Sequence, residues 1–155
     1  MTDELGELAT TFLSSQPVVV TIEFDLLRTD PAFTAGFDLV TMDGAVVFRS
    51  AYTDSPEASR PRLVEGRNAI RCEIPAGLLN SGRYGINIQM QLHNSQLLVH
   101  EVGALGFDVV ADHGESLFLN SQGRPGVVAP ILAWNAVEPG VGEGGEVSPI
   151  PLRSA

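Results

Sequence analysis

Short runs of alternating apolar and polar residues, broken by turn signals about every 8–12 residues, leave this chain few folds to adopt. Residues 18–28 are rich in Val and Ile and carry Thr21, Ile22 and Phe24, all strand formers, before Asp30-Pro31 interrupts them. Residues 35–41 place Phe37 and Leu39 on one face. Asp43-Gly44 then supplies a two-residue turn signal, and residues 45–52 return as the second arm of a hairpin. Residues 53–63, with two prolines, read as a long loop. Residues 68–74 form a strand stopped by Pro75, and residues 83–93 a long alternating strand turned by Asn94-Ser95. Residues 97–102 and 104–110 follow, with Gly103 marking a bulge or kink between them. Residues 112–125 read as loop and 126–134 as a last short strand. Between Pro75 and Gly82, Leu78 and Leu79 are expected to plug the end of the core.

Roughly seven or eight such strands predict an all-β, antiparallel β-sandwich. Residues 5–12 look like the end of an edge strand, which makes the chain a candidate downstream piece of a longer protein. Residues 5–134 are assigned to the sandwich. Residues 135–155 are dense in Pro, Gly and Glu and nearly free of large apolar groups, and read as a disordered tail.

A chain of 155 residues is long enough to bury a core without disulfides. It could form none within itself, because Cys72 is its only cysteine. The alternation of Ile70, Cys72 and Ile74 against Arg71 and Glu73 points that thiol inward, as a small buried hydrophobe. The formal net charge of -10 disfavours nucleic acid and anionic membrane surfaces, both of which call for a basic face. Residues 1–6 are acidic and do not resemble a signal peptide, and no apolar run approaches the roughly 18 residues of a membrane span. A soluble, cytoplasmic protein is expected.

Catalytic and cofactor motifs are absent or misplaced. Gly140, Gly142 and Gly145 fit G-x-G-x-x-G, but they follow Pro139 and run into Glu146 and Pro149, not the strand-to-helix turn that a dinucleotide requires. There is no phosphate-binding loop of the G-x-x-x-x-G-K-[ST] type and no G-x-S-x-G elbow. His93, His100 and His113 lack metal-ligand spacing, although His93 and His100 flank one hairpin and could approach across strands. Neither a cofactor nor a metal is expected. Asp25, Asp38, Asp43, Glu73 and Asp108 include candidates for paired acids, but most are expected on solvent-facing strand positions, and none is marked out by its context. A glycoside hydrolase is therefore disfavoured. Phe24, Phe37, Phe48, Phe107 and Tyr84 fit core positions, and Trp134 closes the last predicted strand.

The strand at residues 83–93 carries the most information. Ile86, Ile88, Met90 and Leu92 fall on one face. Asn87, Gln89, Gln91 and His93 fall on the other, roughly 7 Å apart along the strand. Amides and imidazole both donate and accept hydrogen bonds, as sugar hydroxyls do, and a flat sheet suits an extended glycan. These four are the candidate carbohydrate-binding residues. A polar face covered by a loop or a partner subunit would produce the same pattern.

Several runs resemble one family in order and spacing. They are Gly36-Phe37-Asp38-Leu39-Val40-Thr41, Asp43-Gly44 with Val47-Phe48, Arg71-Cys72-Glu73-Ile74-Pro75, Leu78-Leu79-Asn80-Ser81-Gly82-Arg83-Tyr84, Leu105-Gly106-Phe107-Asp108-Val109, and Gly126-Val127-Val128-Ala129-Pro130 to Trp134. Together they resemble the C-terminal domain of Wzt-type proteins, the ATP-hydrolysing subunits of ABC exporters that move O-antigen and related polysaccharides. The resemblance covers about residues 5–134. It implies an immunoglobulin-like sandwich that binds the exported glycan, often by its capped end, and that dimerises by strand exchange. The chain includes no ATPase domain, so ATP hydrolysis is not implied, and its first strand is cut short relative to the family.

These readings converge on a non-catalytic module recognising an O-antigen-type polysaccharide. Its expected partners are the glycan, ABC exporter subunits and a second copy of itself, at the cytoplasmic face of the inner membrane. The rival is a structural module that uses the same face to dock a protein.

Overall fold

The computed structural model describes residues 1–3, 6–112, 125–130 and 132–135. The tail assigned to residues 135–155 lies, apart from its first residue, outside the described residues, as do His113 and the glycines at 140–145. Seven strands form two sheets. They are β1 (Thr11–Leu13), β2 (Val18–Leu26), β3 (Phe33–Thr41), β4 (Val46–Ala51), β5 (Gly66–Ile74), β6 (Gly82–Leu92) and β7 (Gln96–Val110). The large sheet has the order β1-β7-β6-β3-β4, and β2 pairs with β5 in the small one. The all-β sandwich expected from the alternation is the observed architecture, with one exception to its antiparallel pairing. β1 runs parallel to the end of β7, Thr11 opposite Asp108 and Leu13 opposite Val110. The edge strand expected over residues 5–12 is thus three residues long and begins later.

Side chains that alternate inward from both sheets make one core. Phe33, Phe37 and Leu39 of β3, Tyr84 and Ile86 of β6 and Phe107 of β7 meet Val20 and Ile22 of β2 and Ile70 and Ile74 of β5. Phe12 of β1 meets Phe107 edge to face at a centroid distance of 5.7 Å, and Tyr84 stacks on Phe107 at 5.6 Å. Cys72 is half-buried against this core, on the side the alternation predicted.

One end of the sandwich is closed as the sequence led us to expect. Leu79 is buried and bridges to Val128, and the Tyr84 hydroxyl lies 2.9 Å from the carbonyl oxygens of both Asn80 and Val127. The buried Asn80 amide donates to the Gly126 carbonyl at 2.7 Å. The described residues of the predicted strand at 126–134, however, do not form one. The single bridge at Val128 is their only ladder contact among the described residues, and Trp134 is 92% exposed. Pro130 has no N–H with which to extend the pairing.

The β3–β4 hairpin also departs from its predicted form. The Thr41 N–H donates to the Ala45 carbonyl and the Gly44 N–H to the Thr41 carbonyl, so Met42, Asp43 and Gly44 form a three-residue loop with Gly44 at φ +84°. Two short 3-10 turns, Tyr52–Asp54 and Glu57–Ser59, occupy the end of the predicted strand at residue 52 and part of the long loop expected over residues 53–63. Among the described residues no helix is long and apolar enough to cross a membrane.

Candidate functional site

β6 lies at the centre of the large sheet, between β3 and β7, and its outward side chains share a face with those of both neighbours. The register sets Asn87 opposite Asp38, Gln89 opposite Gly36 and Gln91 opposite Thr34, while β4 places Arg49 beside Asp38. The fold thus brings Asn87, Gln89 and Gln91 to one half-buried outer face, as their alternation along the strand predicts. It does not bring His93 with them. β6 ends at Leu92, and His93 is an exposed turn residue whose backbone N–H donates to the Ala32 carbonyl at 2.8 Å. His100 faces Gln89 across the β6–β7 ladder, so the two histidines do not oppose one another.

The three remaining polar residues are not equivalent. Asn87 accepts the Gly103 N–H at 2.7 Å and thereby ties down the bulge in β7, where the ladder shifts register between Ile86 and Ile88. Gly103 sits there at φ +68°, fulfilling the expectation of a bulge, though β7 continues through it as one strand. Gln89 donates to Asp38 Oδ2 at 2.7 Å. The Gln91 side chain makes no hydrogen bond to the described residues, so both ends of its amide remain available to a ligand.

Asp38 organises this face, and sequence reasoning missed its part. The carboxylates were expected mostly on solvent-facing positions, but the Asp38 side chain is only 5% exposed. Its two oxygens accept a fork from Arg49, Nε at 2.6 Å and a terminal nitrogen at 2.9 Å, in addition to the Gln89 amide. The paired carboxylate raises the Arg49 pKa further, first through the hydrogen bonds and then through its charge. Arg49 remains 62% exposed, so a guanidinium and an amide are held on a buried acid with their outer edges facing solvent.

Between them lies a small depression of about 30 Å3, lined by Gly36 and rimmed by Thr34, Arg49, Gln89 and Gln91. Farther along the same face, Arg83 forks onto Asp108 at 2.8 and 3.1 Å. The hydrogen bonds from Arg83, and then its charge, hold the Asp108 carboxyl below its ordinary value.

The hairpin itself could have exposed the Asp38–Arg49 pair. A two-residue turn at Asp43-Gly44 places residue 38 opposite residue 49. The observed loop is one residue longer, but Val40 faces Val46 while Leu39 faces Phe48, and the extra residue at Val47 restores that register. Nothing comparable in the sequence marks Gly36 or Thr34.

No family model matches the sequence, and no curated protein matches it. Among solved structures, the fold matches the crystal structure of the C-terminal domain of Wzt. The TM-score is 0.66 at 13% identity, over 88% of this chain and 79% of that one. The chain has a Wzt C-terminal domain-like fold.

Proposed function

We propose that this chain is a non-catalytic carbohydrate-binding module that recognises an O-antigen-type polysaccharide for export by an ABC transporter. Its binding face is the outer surface of the large sheet around Gly36. The observation that carries this reading is the arrangement on Asp38. The buried carboxylate fixes Arg49 and Gln89 beside a shallow, open dip, with the unengaged Gln91 amide next to it. Donors already held in place by a buried carboxylate lose little freedom when they meet a ligand hydroxyl. The resemblance in the sequence and the Wzt C-terminal domain-like fold both favour a module of this kind. A binding role also suits the engaged state of the nearby acids, since Asp38, Asp43 and Asp108 all pair with Arg49, Thr41 and Arg83 respectively.

Calorimetric titration with the surface polysaccharide of the source organism tests the reading. Saturable heat is expected, lost with polysaccharide from an unrelated serotype. Gln91→Ala should weaken binding at least tenfold with an unchanged melting temperature, because the Gln91 side chain has no hydrogen-bond partner among the described residues to lose. No heat from a folded sample would remove the glycan reading.

A second reading, docking of a protein partner or a second copy, is favoured by a different observation. β1 covers β7 only at residues 108–110, so the edge of β7 before Phe107 carries no pairing strand among the described residues, and Leu97, Val99 and Val102 are exposed along it. Homodimerisation through this edge, at a transporter on the cytoplasmic side of the inner membrane, is compatible with an open glycan face. Sedimentation velocity across a concentration series measures it directly.

A further inference from the structure

The two sheets part at the edge where β4 and β5 lie, and a cavity of about 250 Å3 opens between them. Its floor is apolar, formed by Val20, Ile22, Phe37 and Ile70, with Ser50 and the half-buried Cys72 at one side. Its mouth is polar. Ser55 and Ser59 stand there with exposed hydroxyls, and Asp54 and Arg71 set one charge of each sign beside it.

The cavity is held open by bonds that do not depend on any occupant. Arg60 donates to the Ser55 and Thr53 carbonyls, both at 2.8 Å. The Thr53 and Thr34 hydroxyls lie 2.7 Å apart. The Tyr52 hydroxyl donates to the Phe33 carbonyl, and Asp54 accepts the Ala51 N–H. The 52–60 segment is therefore a braced wall that cannot collapse onto the core without breaking these contacts.

We propose that this cavity is a binding site for a small neutral molecule with an aromatic or branched-alkyl end, inserted between the sheets, and a hydroxyl or amide head at the serine rim. Size and chemistry both argue for it. A dry apolar cavity of about 150 Å3 already accepts benzene, and water needs about two to four polar partners that this floor does not offer. The two mouth charges offset one another, which leaves no net attraction for an ion. The site lies behind β3 and β4, on the opposite side from the outer dip, and does not depend on the glycan reading.

Cys72 is the reporter, because it is the chain's only thiol. With benzyl alcohol as the probe, the full-length protein should show saturable shifts of the Val20, Ile22 and Ile70 methyl resonances. Alkylation of Cys72 by N-ethylmaleimide should slow at least fivefold at saturation, and glycerol should do neither. Cys72→Met fills the floor and should abolish the methyl shifts in a protein that stays folded. If that variant does not fold, the contrast between benzyl alcohol and glycerol in the wild-type protein decides. Absent shifts, shifts spread over the exposed aliphatics of β7, or unaltered alkylation would overturn the proposal.

Discussion

Asp38 and Arg49 are unequal partners, and the inequality is measurable. The acid side chain is 5% exposed and the guanidinium 62%. Removing Asp38 leaves a cation that water already reaches. Removing Arg49 leaves a buried carboxylate with only the Gln89 amide to satisfy it, and an uncompensated buried charge is the costlier remnant. Arg49→Ala should therefore destabilise the fold by about 2–4 kcal/mol and Asp38→Ala by about 1–2 kcal/mol in urea denaturation. The reverse order would mean that the carboxylate finds water once the arginine is gone. At this scale the sequence revealed residue types but not their commitments. Asn87, Gln89 and Gln91 look alike along β6, yet one holds a bulge, one holds an acid and one is free. Those differences depend on β3 and β7, which alternation within a single strand cannot report.

Two glycines show how elements constrain one another. At Gly36 an added Cβ would lie 2.1 Å from the Ser50 carbonyl oxygen and 2.7 Å from the Ala51 Cα, both backbone atoms of β4. At Gly103 a Cβ would meet nothing within 4 Å, but the backbone there is left-handed. Gly36→Ala should cost about 2–3 kcal/mol, because β3 and β4 must separate to admit it. Gly103→Ala should cost about 1–2 kcal/mol through backbone strain alone. Thermal and urea melts of both variants check the ranking. The same contrast marks what was legible in the sequence. Gly103 announced itself by interrupting an alternating strand, whereas Gly36 sits in a run that reads as ordinary strand. Likewise β2, β5 and β6 were readable because their alternation is sustained and their ends are marked by Asp30-Pro31, by Pro75, and by Gly82 and Asn94 respectively. β1 owes its existence to pairing with the distant end of β7, and the 3-10 turns after β4 to side chains such as Arg60 and Asp54 that bond the local backbone.

Among the described residues the sandwich is lopsided, five strands against two, and β7 bears the consequence. Most of its fifteen residues are exposed, and among the described residues its edge carries no partner from Gln96 until β1 joins at Asp108. A long, open and apolar edge invites another strand, and soluble β proteins commonly guard such edges with an inward charge, a bulge or a proline. This edge has the Gly103 bulge and Glu101, but Leu97 and Leu98 precede them and Val102 stands between them, 70% exposed. If a second copy pairs here, a lysine at Val102 would place a charge beside its own symmetry mate in the new ladder, where like charges repel. On the monomer the same lysine faces water and should change stability by no more than about 0.5 kcal/mol. Val102→Lys is therefore expected to raise the dimer dissociation constant at least tenfold by sedimentation while the urea midpoint holds. Titration with polysaccharide on the same sample separates the two roles, since the outer dip at Gly36 lies across β6 from this edge and should keep its affinity per chain. A variant that loses the dimer and the glycan together would place the binding face across the two copies, not on one sheet.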